Sequence, residues 1–157
     1  MDLIALEEIR ALKHRYLRSI DLKQWDELAA TLAEDATTDY GSPSGGRPLA
    51  FTGRDEIVSY MREQLGSGMT TVHHCTGPEI TVDGEHASGS WCLSDTVLVP
   101  RYEVAIIGSA YYEDRYRRVD GAWKIAHTGY VRLYEAKMSF ADLPSFRLTA
   151  DMWASTG

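Results

Sequence analysis

Two adjacent histidines, His73 and His74, stand in the stretch TTVHHCTGP at 70–78, between a β-branched run and a Gly-Pro break. A histidine on a pocket wall can act as a general base, because imidazole titrates near neutral pH. Successive residues of a strand point to opposite faces. We expect His74 to face a cavity together with Asp95 and His73 to lie on the outer face; a one-residue bulge would exchange the two histidines.

Asp95 is an acid on an otherwise apolar strand row that also contains Trp91. A carboxylate beside an imidazole fixes the tautomer and orients the ring, so we expect Asp95 to support His74 and Trp91 to contact the substrate. A lone histidine on an apolar strand is more often structural, so this pair alone does not establish catalysis. Alternation places Cys75 and Cys92 on the opposite face, behind the sheet.

Further polar candidates come from the helices and the last strand. Tyr16 lies on the apolar stripe of the first helix, so its hydroxyl needs a partner inside the protein. Asp21 is typical of an N-cap for the second helix, or of an inward carboxylate that holds the histidine or a substrate hydroxyl. Tyr40 ends a short strand, and Arg132 stands on the last strand. This arginine lies at the surface or binds a carboxylate or phosphate in a bidentate manner.

The composition excludes several classes of function. The 157 residues suit one domain, with 44% hydrophobic and 25% charged residues as in globular proteins. A formal net charge of −7 argues against nucleic-acid and anionic-membrane binding, and no apolar run is long enough to span a membrane. No metal or nucleotide motif is present, so we expect neither a metal nor a cofactor. The N-terminus lacks a signal-peptide layout, which predicts a cytoplasmic protein with reduced thiols.

Helical periodicity dominates the first half of the chain. Residues 3–20 place their apolar side chains on one broad stripe, and Asp2 can cap the start of this helix. Residues 21–35 predict a second helix. Residues 52–65 predict a third, with Thr52 as its N-cap.

Strand patterns follow the second helix and fill the second half. Thr37–Tyr40 is strand-like, and the Gly/Pro/Ser-rich segment 41–51 predicts an irregular loop. The second half alternates with period two over long β-branched and aromatic runs. Asp83-Gly84 and Asp120-Gly121 predict tight hairpin turns, so we expect four long antiparallel strands.

Helices gathered before an antiparallel sheet give an α+β fold. We predict a cone-shaped, curved antiparallel sheet that is wrapped by the three helices of the N-terminal half and open at one end. Residues 1–137 would form this cone domain. Residues 138–157 would form a tail, too apolar to extend freely, that packs on the domain or on a neighbouring subunit.

Four segments together resemble a known family over most of the chain, from about Leu6 to Leu133. They read YLRSIDLKQWDELAATLAEDATTDY, GRDEIVSYM, HHCTGPEITVDGEHASGSWCLSD and YEDRYRRVDGAWKIAHTGYVRL. The pattern resembles the SnoaL-like branch of the nuclear-transport-factor-2-like superfamily, which holds bile-acid dehydratases and scytalone dehydratase. This resemblance implies the same cone of curved sheet and three helices, with a deep apolar pocket.

The resemblance also implies which residues form the site and how they act. By motif, the family's pocket residues correspond to Tyr16, Asp21, Tyr40, His74, Asp95 and Arg132. In this reading His74 removes a carbon-bound proton with support from Asp95. The two tyrosines hydrogen-bond the developing enolate, and Asp21 holds a substrate hydroxyl or supports the histidine. Arg132 would bind an anionic tail of the substrate.

The expected function is a cofactor-independent dehydratase or lyase acting on an apolar hydroxylated substrate, steroid-like, polyketide or aromatic. An isomerase, a cyclase or a retro-aldol lyase would use the same scaffold. A non-catalytic small-molecule-binding or assembly domain is the alternative from another class. The family associates through the outer face of the sheet, which predicts a homo-oligomer, either a trimer or a dimer.

Overall fold

The computed structural model describes residues 2–41 and 49–154, which form three α-helices and six β-strands. Residues 42–48, the centre of the predicted loop, lie outside the described residues. The elements in chain order are α1 (Leu3–Asp21), α2 (Trp25–Thr31), β1 (Leu32–Asp39), β2 (Ala50–Thr52), α3 (Arg54–Gln64), β3 (Thr70–Asp83), β4 (His86–Val99), β5 (Val104–Val119) and β6 (Ala122–Ser139).

The six strands form one curved, unclosed sheet in the order β2-β1-β6-β5-β4-β3. The four long strands β3 to β6 pair antiparallel in sequence, as predicted. β1 adds to the sheet parallel to β6, a long-range pairing that local sequence patterns do not reveal. The fold is α+β with three helices and a curved sheet, which confirms the predicted fold class.

The three predicted helices are present with shifted bounds. α2 covers Trp25–Thr31 instead of 21–35, because the chain pairs as β1 from Leu32 onwards. The Asp2 side chain accepts a hydrogen bond from the backbone of Ala5 and caps α1, as expected. Asp21 is the last residue of α1, so its predicted place as N-cap of the second helix is wrong. The predicted N-cap of the third helix, Thr52, is also wrong: Thr52 still pairs with Thr37 of β1 and ends β2, and Gly53 is the N-cap of α3.

Both predicted hairpins are present. The turn between β3 and β4 lies one residue later than predicted, at Gly84 and Glu85, because Asp83 still pairs with His86. β5 and β6 are joined by Asp120 and Gly121, whose φ angles of 51° and 80° are both positive, as the two central residues of a type I′ turn require. Gly84, with φ 57°, lies in the turn between β3 and β4. These tight turns fix the register of neighbouring strands, and therefore decide which side chains share a face.

The convex face of the sheet carries exposed apolar side chains. Tyr111 on β5 and Val131 on β6 lie opposite each other and are 45% and 69% exposed, and Leu133 is 64% exposed. Exposed apolar faces of this kind are typical of protein interfaces. The predicted homo-oligomer remains a prediction. Within the described ranges, no helix combines the length and apolar character needed to cross a membrane.

Part of the predicted tail, residues 138–157, contacts the body of the domain near the start of β3. The Thr70 hydroxyl donates a hydrogen bond of 2.6 Å to Asp151. The Lys23 ammonium lies 4.7 Å from the centre of the Trp153 ring, within the range of a cation–π contact. These contacts bring the tail against the segment that follows α1.

A charged pair is buried between α1 and the sheet. Lys13 Nζ lies 2.7 Å from Asp114 Oδ2, and the two side chains are 1% and 0% exposed. The Tyr116 hydroxyl donates a hydrogen bond of 2.7 Å to the same carboxylate, and Lys13 Nζ lies 3.3 Å from the centre of the Tyr112 ring. The ammonium therefore exchanges its hydration for a carboxylate and an aromatic face.

We expect Lys13→Met to lower the free energy of unfolding by about 3–5 kcal/mol, because Asp114 is then buried without its cation. The double variant Lys13→Met/Asp114→Leu removes both charges and should be more stable than the single variant. Urea denaturation measures both changes. Glu7→Gln, which breaks the exposed Glu7–Arg10 pair, is the control and should change stability little. A loss in Lys13→Met no larger than in this control would contradict the prediction.

Candidate active site

A cavity of about 130 Å³ lies between the helices and the concave face of the sheet. Most of its wall is aliphatic or aromatic, with contributions from α1, α3 and strands β3 to β6. The polar side chains on its wall are Tyr40, Tyr60, Gln64, Tyr112, Tyr130, His73, Asp95 and Arg132. A concave apolar wall with a few convergent polar groups is the usual form of a small-molecule site.

His73 forms a hydrogen-bonded pair with Asp21. The ring Nδ1 lies 2.6 Å from Asp21 Oδ1, and the backbone N–H of His73 donates to Oδ2 at 3.0 Å. The buried Thr71 hydroxyl donates to Oδ1 at 2.8 Å. Three donors thus hold one carboxylate, which cannot rotate away from the imidazole without losing several hydrogen bonds at once.

This arrangement assigns the histidine tautomer. A carboxylate only accepts hydrogen bonds, so Nδ1 of His73 carries the proton and Nε2 of the neutral ring is free to accept one. The hydrogen bond to Asp21 also fixes the orientation of the ring and stabilises an imidazolium once it forms. The pair can therefore act as a general base with a built-in counter-charge.

The structure contradicts the expectation that His74 faces the cavity. His74 lies opposite Ser94 on the convex side of the sheet, and its side chain is exposed. His73 lies opposite Asp95, and directly opposed residues of antiparallel strands share a face. Alternation correctly predicted that the two histidines point to opposite faces of the strand. It could not show which of them points inward, because that depends on the register of β3 with β4.

Two tyrosines form a buried hydroxyl pair. The oxygens of Tyr16 and Tyr40 are 2.8 Å apart, and the side chains are 0% and 3% exposed. Burial raises the pKa of both phenols well above the ordinary value, so both remain protonated at neutral pH. The structure brings these two predicted residues together. Tyr40 is the member that reaches the cavity wall.

Two further tyrosines on the sheet were missed by the sequence analysis. Tyr112 and Tyr130 lie opposite each other on β5 and β6, with their rings edge to face at 5.4 Å. Burial raises the pKa of each phenol, so these groups also remain hydrogen-bond donors. Strand alternation could have found them, because both lie on the same face as Asp95 through continuous pairing.

Asp95 faces the cavity but does not support a histidine. Its carboxylate accepts from Nη1 and Nη2 of Arg132 at 2.6 and 2.9 Å. Burial by itself would lower the pKa of the guanidinium, but the hydrogen bonds that it donates to Asp95 raise this pKa above the ordinary value. The expected Asp95–His74 pair is therefore wrong, and the nitrogens that would bind an anionic substrate tail are already occupied.

Two other expectations fail in part. Trp91 is buried but lies outside the cavity, where its Nε1 donates to the Tyr116 hydroxyl at 2.9 Å. Cys75 lies opposite the buried Leu93 on the concave side, whereas Cys92 lies on the convex side as predicted. Over residues 2–41 and 49–154, no cluster of three His, Cys, Asp or Glu side chains could hold a metal ion.

Residues 1–129 match the family model of the SnoaL-like domain, so the chain belongs to this family, part of the nuclear-transport-factor-2-like superfamily. The match ends within β6, and the tail lies beyond it.

Solved structures show the same fold. A protein of Novosphingobium aromaticivorans provisionally assigned as a scytalone dehydratase has 21% identity and a TM-score of 0.76, covering 86% of this chain and 88% of its own. A hexachlorocyclohexane dehydrochlorinase, LinA type 2, has 19% identity and a TM-score of 0.77, covering 87% and 90%. A Mycobacterium tuberculosis protein of unknown function has 24% identity and a TM-score of 0.68, covering 95% and 81%.

The geometry also predicts an unreactive thiol at Cys75. Burial raises the pKa of this thiol from 9.0 to about 12, so almost none is ionised at pH 8. The thiolate is the reactive form, so we expect alkylation of Cys75 to be on the order of 10³-fold slower than that of a free thiol. The measurement is iodoacetamide labelling at pH 8 of a Cys92→Ser variant, in which Cys75 is the sole thiol. The same variant unfolded in urea should react at the ordinary rate; fast labelling of the folded form would refute the prediction.

Proposed function

We propose that this protein is a cofactor-independent lyase in which His73, held by Asp21, removes a carbon-bound proton from a small ring compound. The observation that carries this proposal is the Asp21–His73 pair on the wall of an otherwise apolar cavity. A fixed imidazole with a carboxylate behind it is suited to general-base chemistry. The apolar wall favours this use, because water would otherwise compete for the base.

The reaction is an elimination. The free Nε2 of His73 takes a proton from the carbon next to a carbonyl group, and the electrons of the broken C–H bond form an enolate. The enolate then forms the carbon–carbon double bond as the group on the adjacent carbon leaves with its bonding electrons. A departing hydroxide takes the proton back from the imidazolium and becomes water. A halide leaves as the anion, and the imidazolium then releases its proton to solvent water. Asp21 stabilises the imidazolium between these two steps.

The protonated tyrosines supply hydrogen bonds for the negative charge that develops on the substrate. Tyr40 reaches the cavity and is paired with Tyr16 behind it, so its hydroxyl is held in place by a buried partner. Donors that are fixed before the reaction stabilise developing charge more effectively than mobile water does. In this proposal the Tyr16 hydroxyl donates to Tyr40, and the Tyr40 hydroxyl donates to the oxygen of an enolate formed next to the broken C–H bond.

The size of the cavity limits the substrate. A volume of about 130 Å³ is close to that of an apolar protein cavity of ~150 Å³ that binds benzene. This supports a substrate with a single six-membered ring and argues against the larger steroid-like compounds considered from the sequence. The names of two structural relatives, a dehydratase and a dehydrochlorinase, both describe eliminations and agree with this reaction type.

The two adjacent histidines offer a matched pair of variants. We expect His73→Ala to reduce turnover by about 10²–10⁴-fold, because it removes the general base. His74→Ala removes the same side chain one residue away on the convex face and should leave turnover unchanged. The assay uses a panel of single-ring β-hydroxy and β-halo ketones, beginning with 3-hydroxycyclohexanone, and follows the ultraviolet absorbance of the enone product.

Proton exchange separates the alternatives. In deuterated water, wild-type protein that exchanges the proton next to the carbonyl without forming an enone would favour an isomerase over a lyase. Equal activity of His73→Ala and wild type would contradict the proposal that His73 is the general base. Ring compounds that bind without exchange or elimination would favour a non-catalytic binding domain.

Tyr40→Phe tests the proposed hydrogen bond to the enolate. We expect kcat to fall by about 10²-fold with a small change in KM, because the donor acts mainly on the charge of the transition state. Steady-state kinetics on a substrate from the same panel provide both constants. Tyr111→Phe, which removes an exposed hydroxyl on the convex face, is the matched control. An equal effect of the two substitutions would rule out the role given to Tyr40.

A further inference from the structure

The Asp95–Arg132 ion pair is built into three neighbouring strands. Asp95 lies on β4 and Arg132 on β6, and Gly108 lies between them on β5, directly opposite Asp95. A Cβ atom at Gly108 would lie 2.4 Å from Arg132 Nη1 and 2.8 Å from Asp95 Oδ1. The ion pair therefore occupies space that exists only because position 108 has no side chain.

The Asp95 carboxylate occupies the two Nη atoms of Arg132, which are the donors through which an arginine usually binds an anionic ligand. Both of its carboxylate oxygens accept from the two Nη atoms, and the side chains of Asp95 and Arg132 are only 6% and 13% exposed. Arg132 Nε is buried and has no partner among the described residues. The exposed Glu135 carboxylate lies 3.5 Å from Nη2, so a second anion also faces the guanidinium. A ligand carboxylate that took the place of Asp95 on the Nη atoms would leave a buried anion without its cation.

The charges on the cavity wall cancel. Among the described residues, its ionisable groups other than tyrosine are His73, Asp95 and Arg132, and their charges sum to zero when the imidazole is neutral. Asp21 adds a negative charge behind the imidazole. An anionic ligand would lose its hydration without meeting a free cation, whereas an uncharged ring loses little.

We propose that Asp95 determines the charge of the substrate: by occupying Arg132 it makes the cavity select uncharged ring compounds, and without it the same cavity binds a single-ring carboxylate. This inference rests on the proposed function, because it takes the cavity to be the substrate site. It assigns Asp95 a part in specificity and none in proton transfer.

Benzamide and benzoate are suitable probes, because they have the same size and shape and differ in charge. We expect wild-type protein to bind benzamide at least about 10-fold more tightly than benzoate. In Asp95→Asn, benzoate should bind at least about 10-fold more tightly than it does to wild type, with benzamide nearly unchanged. Isothermal titration calorimetry gives the dissociation constants for both ligands.

The double variant Asp95→Asn/Arg132→Gln is the control, since it removes the arginine that Asp95 had occupied. Benzoate binding should weaken again in the double variant, while benzamide binding persists. Near-ultraviolet circular dichroism checks that each variant is folded. Asp95→Ser carries the same expectation as Asp95→Asn and replaces it if the asparagine variant does not fold.

The outcomes separate this inference from the proposed reaction. An unchanged ratio of benzoate to benzamide affinity in both Asp95 variants would overturn the inference alone, as would wild-type protein that binds the two probes equally. If wild-type protein binds neither probe, the inference is wrong, and so is the proposal that the cavity holds a single-ring compound. The role of His73 in turnover is tested independently by the comparison of His73→Ala with His74→Ala.

Discussion

One carboxylate, that of Asp21, joins the end of the first helix to the edge strand of the sheet. It accepts hydrogen bonds from the Thr71 hydroxyl and from both the backbone and the ring of His73. An edge strand normally leaves backbone N–H groups open to solvent or to other chains. Here the carboxylate takes up one of these groups, and the same contact orients the imidazole. The end of α1 and the orientation of the candidate base are therefore linked through the same side chain.

Three carboxylates near the concave face each have a cationic or imidazole partner. The pairs are Asp21–His73, Asp95–Arg132 and Asp114–Lys13. Buried carboxylates without partners would be too costly to keep ionised, so pairing is the condition for placing acids in an apolar space. The pairs differ in chemistry, because a neutral imidazole has a ring nitrogen that can accept a proton, whereas a guanidinium or an ammonium group has only donors.

Local sequence signals predicted the helices, the long strands and the Asp120-Gly121 turn, because capping, periodicity and turn chemistry act over a few residues. They also brought Tyr16, Asp21, Asp95 and Arg132 into consideration. The partners of these residues could not be predicted in the same way. Alternation divides a strand into two sets of side chains, but only the register with the next strand decides which set faces inward. His73 and Asp95 meet on one face through that register.

Part of the tail, which lies beyond the family match, contacts Lys23 and Thr70, close in sequence to Asp21 and His73. Lys23 follows α1 in a left-handed conformation and packs against the Trp153 ring, while Thr70 at the start of β3 donates to Asp151. Burial lowers the pKa of the Lys23 ammonium, and the nearby Asp21 and Asp151 oppose this effect. The tail therefore contacts the start of β3 and the segment that follows α1, next to the two elements that the Asp21 carboxylate joins. A hydrogen bond as directional as the one between Asp21 and the imidazole depends on the positions of these two elements, because small shifts of either element would lengthen it.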